Sequence, residues 1–180
     1  MAKITELTPG TWNVDPSHSA IGFSARHLMI SKVRGHFGSF GGEIKVTEDP
    51  LASEVHGVAE TASVTTGDDA RDGHLKSPDF FDVEHYPTLT FVSTSIEEDG
   101  DDFRLAGLLT VKDITKPVVF DLEFDGVSTD PWGNTKAGFS AETEINRKDF
   151  GLEWNVALEA GGVLVGDKVK IQLDIEAVKG

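Results

Sequence analysis

Val118-Val119-Phe120-Asp121-Leu122-Glu123-Phe124 puts Val118, Phe120, Leu122 and Phe124 on one side of an extended chain and Val119, Asp121 and Glu123 on the other. A period of two is the pattern of a strand with one face buried and one in water. The same period recurs outward from this stretch. Phe103, Leu105, Gly107, Leu109 and Val111 alternate before it. After it, Thr135, Ala137, Phe139, Ala141, Thr143 and Ile145 do the same, and Val169, Ile171, Leu173, Ile175 and Ala177 close the series. Towards the N-terminus, Ile21, Phe23, Ala25 and His27 share a face, and Leu89, Phe91, Ser93 and Ser95 share another. With Thr11 to Asp15, Lys32 to Val46 and Ser53 to Thr65, the count reaches about eight strands. Short turns join most of them. An up-and-down antiparallel barrel fits best, because closure removes exposed edges. A two-sheet sandwich is the alternative, without the Cys-Trp-Cys pattern of an immunoglobulin domain.

Turn chemistry punctuates the strands. Leu28-Met29-Ile30-Ser31 breaks the alternation and turns the chain, and Thr47-Glu48-Asp49-Pro50 is a second turn. Gly100 in Glu97-Glu98-Asp99-Gly100-Asp101 supplies a positive φ for a hairpin. Asp125-Gly126 and Asp130-Pro131-Trp132-Gly133-Asn134 read as the two ends of a turn-rich connection. Phe37 and Phe40 are three residues apart, which a plain strand would send to opposite faces. Gly35, Gly38, Gly41 and Gly42 around them mark bulges or coiling that let both rings face inwards.

One segment interrupts the strands: Arg71-Asp72-Gly73-His74-Leu75-Lys76-Ser77-Pro78-Asp79-Phe80-Phe81-Asp82. A short helix is expected around residues 68–82, capped by Thr66 or Asp68, with acids in the first turn and Pro78 ending it. Phe80 and Phe81 are too large for this short polar segment to bury alone, so they pack on the sheet or on what it encloses. Lys148 to Gly162 is a second irregular excursion, carrying Phe150, Trp154 and Leu158.

The 180 residues fit one domain, residues 1–180. A net charge of −15 opposes sequence-independent binding to nucleic-acid phosphates or to anionic membranes. The chain has no cysteine, which removes disulfides, thiolate nucleophiles and thiolate metal sites. No secretory signal or bilayer-spanning apolar run is recognisable, so a cytoplasmic location and no stable membrane insertion are expected, unless a signal was removed.

Catalytic patterns are weak. His18, His27, His36, His56, His74 and His85 lack the spacing that aims two imidazoles at one metal ion, so no metal is expected. Ser17 or Ser19 beside His18 is the candidate for a hydrolytic nucleophile, without a G-x-S-x-G elbow. Gly41-Gly42 and Gly161-Gly162 lack the strand-to-helix setting of a phosphate loop. What remains is apolar content. An eight-stranded barrel is either filled by side chains or just wide enough for one ligand. Eleven phenylalanines with Trp12, Trp132 and Trp154 favour filling, while glycines and alanines on the same faces leave space.

Several stretches together resemble the YceI-like family of lipocalin-like, polyisoprenoid-binding proteins. Trp12-Asn13-Val14-Asp15-Pro16-Ser17-His18-Ser19-Ala20-Ile21-Gly22-Phe23, then His27 and Gly35-His36-Phe37, match its opening. Thr66, Arg71 to Leu75, Phe80-Phe81-Asp82, Tyr86-Pro87 and Thr90-Phe91 match its centre. Gly107 to Thr110, Thr115 to Val118, Arg147 to Gly151 and Val165-Gly166-Asp167 follow in order. The resemblance implies an all-β, eight-stranded antiparallel lipocalin-like barrel with a short helical insertion. It also implies an apolar tunnel holding an isoprenoid or fatty amphiphile, a homodimer, and no catalysis or cofactor. On that basis Phe23, Phe37, Phe80, Phe81, Phe91, Phe120, Phe139 and Trp154 are the candidate lumen residues. Arg71, His74 and Lys76 are the candidates for the headgroup at the mouth. Two other functions stay open: an enzyme acting on a lipid headgroup at the mouth, and a ligand-free packed scaffold, such as a stress protein.

Overall fold

The computed structural model describes residues 3–156, 158 and 164–180. Its strands are β1 (Gly10–Val14), β2 (Ala20–His27), β3 (Ser31–Phe37), β4 (Phe40–Val46), β5 (Glu54–Glu60) and β6 (Val64–Thr65). After the helix α1 (Asp69–Lys76) come β7 (Thr88–Asp99), β8 (Asp102–Val111), β9 (Ile114–Thr129), β10 (Thr135–Asn146) and β11 (Val165–Lys179). All pairings are antiparallel, and the ring β1-β4-β5-β7-β8-β9-β10-β11 closes on itself through β1 and β11. Three strands are broken once: β1 continues as β2 after the 3₁₀ turn Pro16–His18, β3 as β4 across Gly38-Ser39, and β5 as β6 after Thr61–Ser63. Joined this way they give the closed eight-stranded barrel that the alternation predicts.

At one end the barrel is sealed. The 3₁₀ turn Ile4–Glu6 leads into a core of Leu7, Trp12, Ile44, Val46, Phe103, Phe124, Phe139 and Ala177. Trp12 is fully buried and donates its indole N–H to the Thr8 carbonyl at 2.9 Å. At the other end the sheet opens. Below Gly35 in sequence, β3 pairs only with β2 among the described residues, and β6 has β3 as its sole partner. The gap between β3/β6 and β7 is filled by α1 and the segment to Pro87. Thr61 ties that segment down, its N–H donating to the Pro87 carbonyl and its hydroxyl to the Tyr86 carbonyl.

Bulges reset the inward face. Ser93 opposes Gly107 but Ser95 opposes Ala106, so Thr94 is the extra residue and Ile96, opposite Leu105, points inwards. The period-two pattern had carried the inward face on to Ser95. Asp125-Gly126 is no turn either: it lies within β9, where Phe124 faces Phe139 and Gly126 faces Gly138, leaving Asp125 bulged out to accept from Ser140 Oγ at 2.7 Å. Only Asp130 to Asn134 makes the connection, with Asp130 accepting from the N–H groups of Trp132 and Asn134. Trp132 stands 83% exposed at that tip, so it fills no core.

Gly107 is fixed by close approach. A Cβ there would overlap the Phe91 ring and lie 2.6 Å from the Val92 carbonyl oxygen. Gly107→Ala is therefore expected to lower stability by about 2 kcal/mol through overpacking. Urea unfolding of the variant checks this, and an unchanged midpoint would show that both the Phe91 ring and the Val92 backbone can yield.

Candidate functional site

An elongated cavity of about 630 Å³ runs through the barrel. Its walls are almost wholly apolar, from Ile4 and Leu7 at the sealed end to Leu152, Trp154 and Leu164 at the open one. Composition alone had favoured a packed core. Inward residues do not meet at the axis, because β2 offers Ala25, β4 and β5 offer Gly42, Gly57 and Ala59, and β10 offers Ala141.

The eight aromatic residues singled out in the sequence all line this cavity. Phe37 sits between Phe23 and Phe81, with both ring centroids 5.7 Å away, and Phe91 meets Phe120 edge-on at 5.4 Å. The break at Gly38-Ser39 lets Phe37 and Phe40 both face the lumen. Phe80, 8% exposed, joins Trp154 and His74 in one aromatic cluster at the open end. His74 stands edge-on to Trp154 at 4.6 Å, and its Nε2 lies 2.9 Å from Asp79 Oδ2.

Arg71 and His74 reach the lining, whereas Lys76 does not. Arg71 is largely committed to the framework. Its Nε donates to Thr66 Oγ1 at 2.7 Å and its Nη2 to the Thr66 carbonyl at 2.9 Å. Buried Asp72 accepts from the same threonine, from its N–H at 2.8 Å and its hydroxyl at 2.6 Å. Those bonds from Thr66 hold the Asp72 carboxyl below its ordinary pKa, against the opposing effect of burial. Asp68 caps α1 by accepting from Arg71 N–H. Thr66 is thus the point where the helix is tied to β6.

Arg147 went unrecognised as a site residue, although it falls within a matched motif. It is 2% exposed and fans out to backbone carbonyls: Nε to Gly166 at 2.9 Å, Nη1 to Leu152 at 2.6 Å and to Trp154 at 2.9 Å. Burial lowers its pKa, and Asp167 opposes that effect. It pins the segment after Phe150 across the open end. Gly161-Gly162 lies outside the described residues.

Ser17, His18 and Asp15 do gather, on the 3₁₀ turn rather than on a strand. Ser17 Oγ donates to Asp15 Oδ1 at 2.7 Å, and His18 Nδ1 lies 2.9 Å from Asp15 Oδ2. The hydroxyl is thus spent on the carboxylate, which caps the turn. Asp15, His18 and Glu176 bring ligand atoms within 4.8 Å of one another. The Lys136 ammonium already stands among them, 3.0 Å from Glu176 and 3.3 Å from Asp15. This cluster lies apart from the cavity lining. His85, raised by the Asp82 carboxylate beside it, is 72% exposed and also off the lining.

A closed antiparallel barrel around one apolar lumen, sealed below and stoppered above by a helix, defines a lipocalin-like architecture. The YceI-like domain model matches residues 12–177, so the chain belongs to the YceI-like family. A UPF0312 protein of Staphylococcus aureus strain MSSA476 is 37% identical over 164 residues, which are 90% of this chain and 94% of that one. The Campylobacter jejuni YceI protein superposes with a TM-score of 0.70 at 28% identity, over 86% of this chain and 90% of that one. Burkholderia cenocepacia BcnA shares the fold with a TM-score of 0.75 at 22% identity, covering 91% and 98%. So does a polyisoprenoid binding domain from Saccharophagus degradans, at 0.73 and 16% identity, covering 94% and 98%.

Proposed function

We propose that this protein carries or sequesters an apolar amphiphile of the polyisoprenoid type, with the tail in the lumen and the polar head at the open end. The observation that carries this reading is the apolar cavity of about 630 Å³ inside the barrel, a volume typical of ligand sites. The Saccharophagus degradans domain, named for polyisoprenoid binding, and the family membership support the ligand class. Arg71 and His74 are the lining groups closest in chemistry to a headgroup site, and Phe80, Phe81 and Trp154 form the wall beside them. Burying one isoprene unit is worth up to ~4 kcal/mol, at about 0.8 kcal/mol per carbon. Non-covalent affinity saturates near roughly −18 to −21 kcal/mol, so a few units exhaust it and lumen length sets the preference for longer tails.

Mass spectrometry of the native protein and of its solvent extract tests the proposal. A stoichiometric prenyl or fatty species is expected, either as purified or after incubation with prenyl lipids, and finding none under both conditions would sink the carrier reading. Ala141→Trp gives the second arm. Its side chain projects into the lumen, so retention is expected to fall at least about tenfold while the unfolding free energy stays within about 1 kcal/mol of wild type. A barrel that were packed solid would instead lose stability.

A further inference from the structure

The β2–β3 hairpin carries an apolar tip that the fold leaves uncovered. Leu28, Met29 and Ile30 are 37%, 54% and 80% exposed. Leu28 and Met29 hold φ values of 53° and 61°, a left-handed pair normally given to Asn or Gly in a two-residue hairpin turn. Among the described residues neither side chain joins a buried apolar cluster, so the tip is presented at a conformational cost.

The ribbon below the tip is basic in an otherwise acidic protein. Arg26 is opposite Lys32 and Ser24 opposite Arg34, all on the outer face, and His36 lies on the same face of β3. Arg26, Lys32, Arg34 and His36 are exposed. Among the described residues, Arg26, Lys32 and Arg34 enter none of the ion pairs, while Lys168 and Lys170 on neighbouring β11 are each paired with a glutamate of β10. The Glu97–Asp102 hairpin leads into Phe103 of the sealed end, whereas Asp68 and Asp69 begin α1 just after Thr65, which pairs with His36 of β3.

This ribbon also borders the cavity. Phe23, Ala25, His27 and Val33 line the lumen on its inner face, and Arg26 reaches the rim. The Leu28 N–H donates to the Leu164 carbonyl, which joins the hairpin to the segment that Arg147 pins across the open end. An apolar tip over unpaired cations matches the boundary between acyl chains and anionic headgroups in a bilayer. We propose that the β2–β3 hairpin docks the barrel on an anionic lipid bilayer, tip in the interface and basic ribbon on the headgroups, so that an amphiphile passes between bilayer and lumen beside the free edge of β3. The net charge of −15 does not forbid this, because surface charges act over about a Debye length, roughly 10 Å at 0.1 M salt, and the acidic hairpin lies at the far end. The proposal rests on the carrier reading for its purpose, but docking itself is measured without a lumen ligand.

Flotation of the full chain with vesicles of phosphatidylcholine, with and without phosphatidylglycerol, tests it. Binding is expected only with phosphatidylglycerol and is expected to weaken as salt rises. Ile30→Glu should reduce it by about tenfold, and Lys32→Gln with Arg34→Gln by roughly 30-fold. These sites are exposed, so unfolding midpoints should not move. Trp132→Glu, at the exposed tip of the opposite end, should leave binding unchanged. Wild-type protein that ignores phosphatidylglycerol vesicles would overturn the proposal, as would equal sensitivity at Trp132. A dimer dissolved by Ile30→Glu, without vesicle binding, would assign the tip to a second copy instead. Extracted-lipid mass spectrometry on the same samples separates the two readings: lumen contents judge the carrier, and flotation judges the docking.

Discussion

Arg147→Ala is expected to destabilise the protein by about 4 kcal/mol and to speed release of any lumen ligand at least about tenfold. Three short bonds, to Gly166, Leu152 and Trp154, disappear at once. Their carbonyls are left beside a void shaped like the missing guanidinium, and each buried acceptor without a donor costs about 1–3 kcal/mol. The lost bonds fasten together the start of β11 and the strap that carries Leu152 and Trp154 to the lumen, so the damage falls on the open end. Arg147→Lys separates charge from geometry. It retains a cation but lacks the planar fork that serves several carbonyls, so it should recover less than half of the loss. Urea unfolding gives the stability change, and hydrogen exchange at residues 152–156 and 164–166 locates it. Exchange that rises uniformly around the barrel would show that Arg147 supports the whole fold rather than the strap.

The contrast between Arg147 and the lumen aromatics shows what a sequence of this kind discloses. Val118, Phe120, Leu122 and Phe124 were legible because strand periodicity is a property of neighbours in the chain, and the β9 pairings to β8 and β10 follow from it. That Phe23, Phe91, Phe120 and Phe139 face inwards was legible for the same reason, while their place in a lumen rested on the family resemblance. Phe80 and Phe81 were legible by elimination, being too large for the short segment that carries them. Whether inward side chains meet at the axis was not legible. That depends on barrel radius and stagger, which single-strand patterns do not encode. Bulges at Thr94 and Asp125 were equally hidden, because they arise from the register of two strands. Arg147 could be quoted as part of a motif but not assigned a role: its partners are carbonyls, and every residue has one. Lys76 looked equivalent to Arg71 and His74 by proximity, yet the lining includes only the latter two.

Asp72→Ala is the second large effect, expected to cost about 3 kcal/mol, and it carries a pH signature. The carboxylate of Asp72, 7% exposed, accepts from both the N–H and the hydroxyl of Thr66, which in turn accepts from Arg71 Nε. Charge-assisted bonds of this kind contribute about 1.5–3 kcal/mol each, and both donors lose their partner in the alanine variant. Because the folded pKa of Asp72 is depressed, its contribution is present above the unfolded value of about 3.9 and is lost as pH falls through the folded one. Asp72→Asn isolates this contribution, since the amide oxygen still accepts but carries no charge. The stability difference between wild type and Asp72→Asn should be constant from neutral pH to about 5 and should shrink below about 4. Denaturant unfolding across that range measures it. A difference that persisted in acid would mean that the carboxylate charge does not hold α1 to β6. Shape complementarity around Thr66 would then be the anchor of the helix that stoppers the lumen.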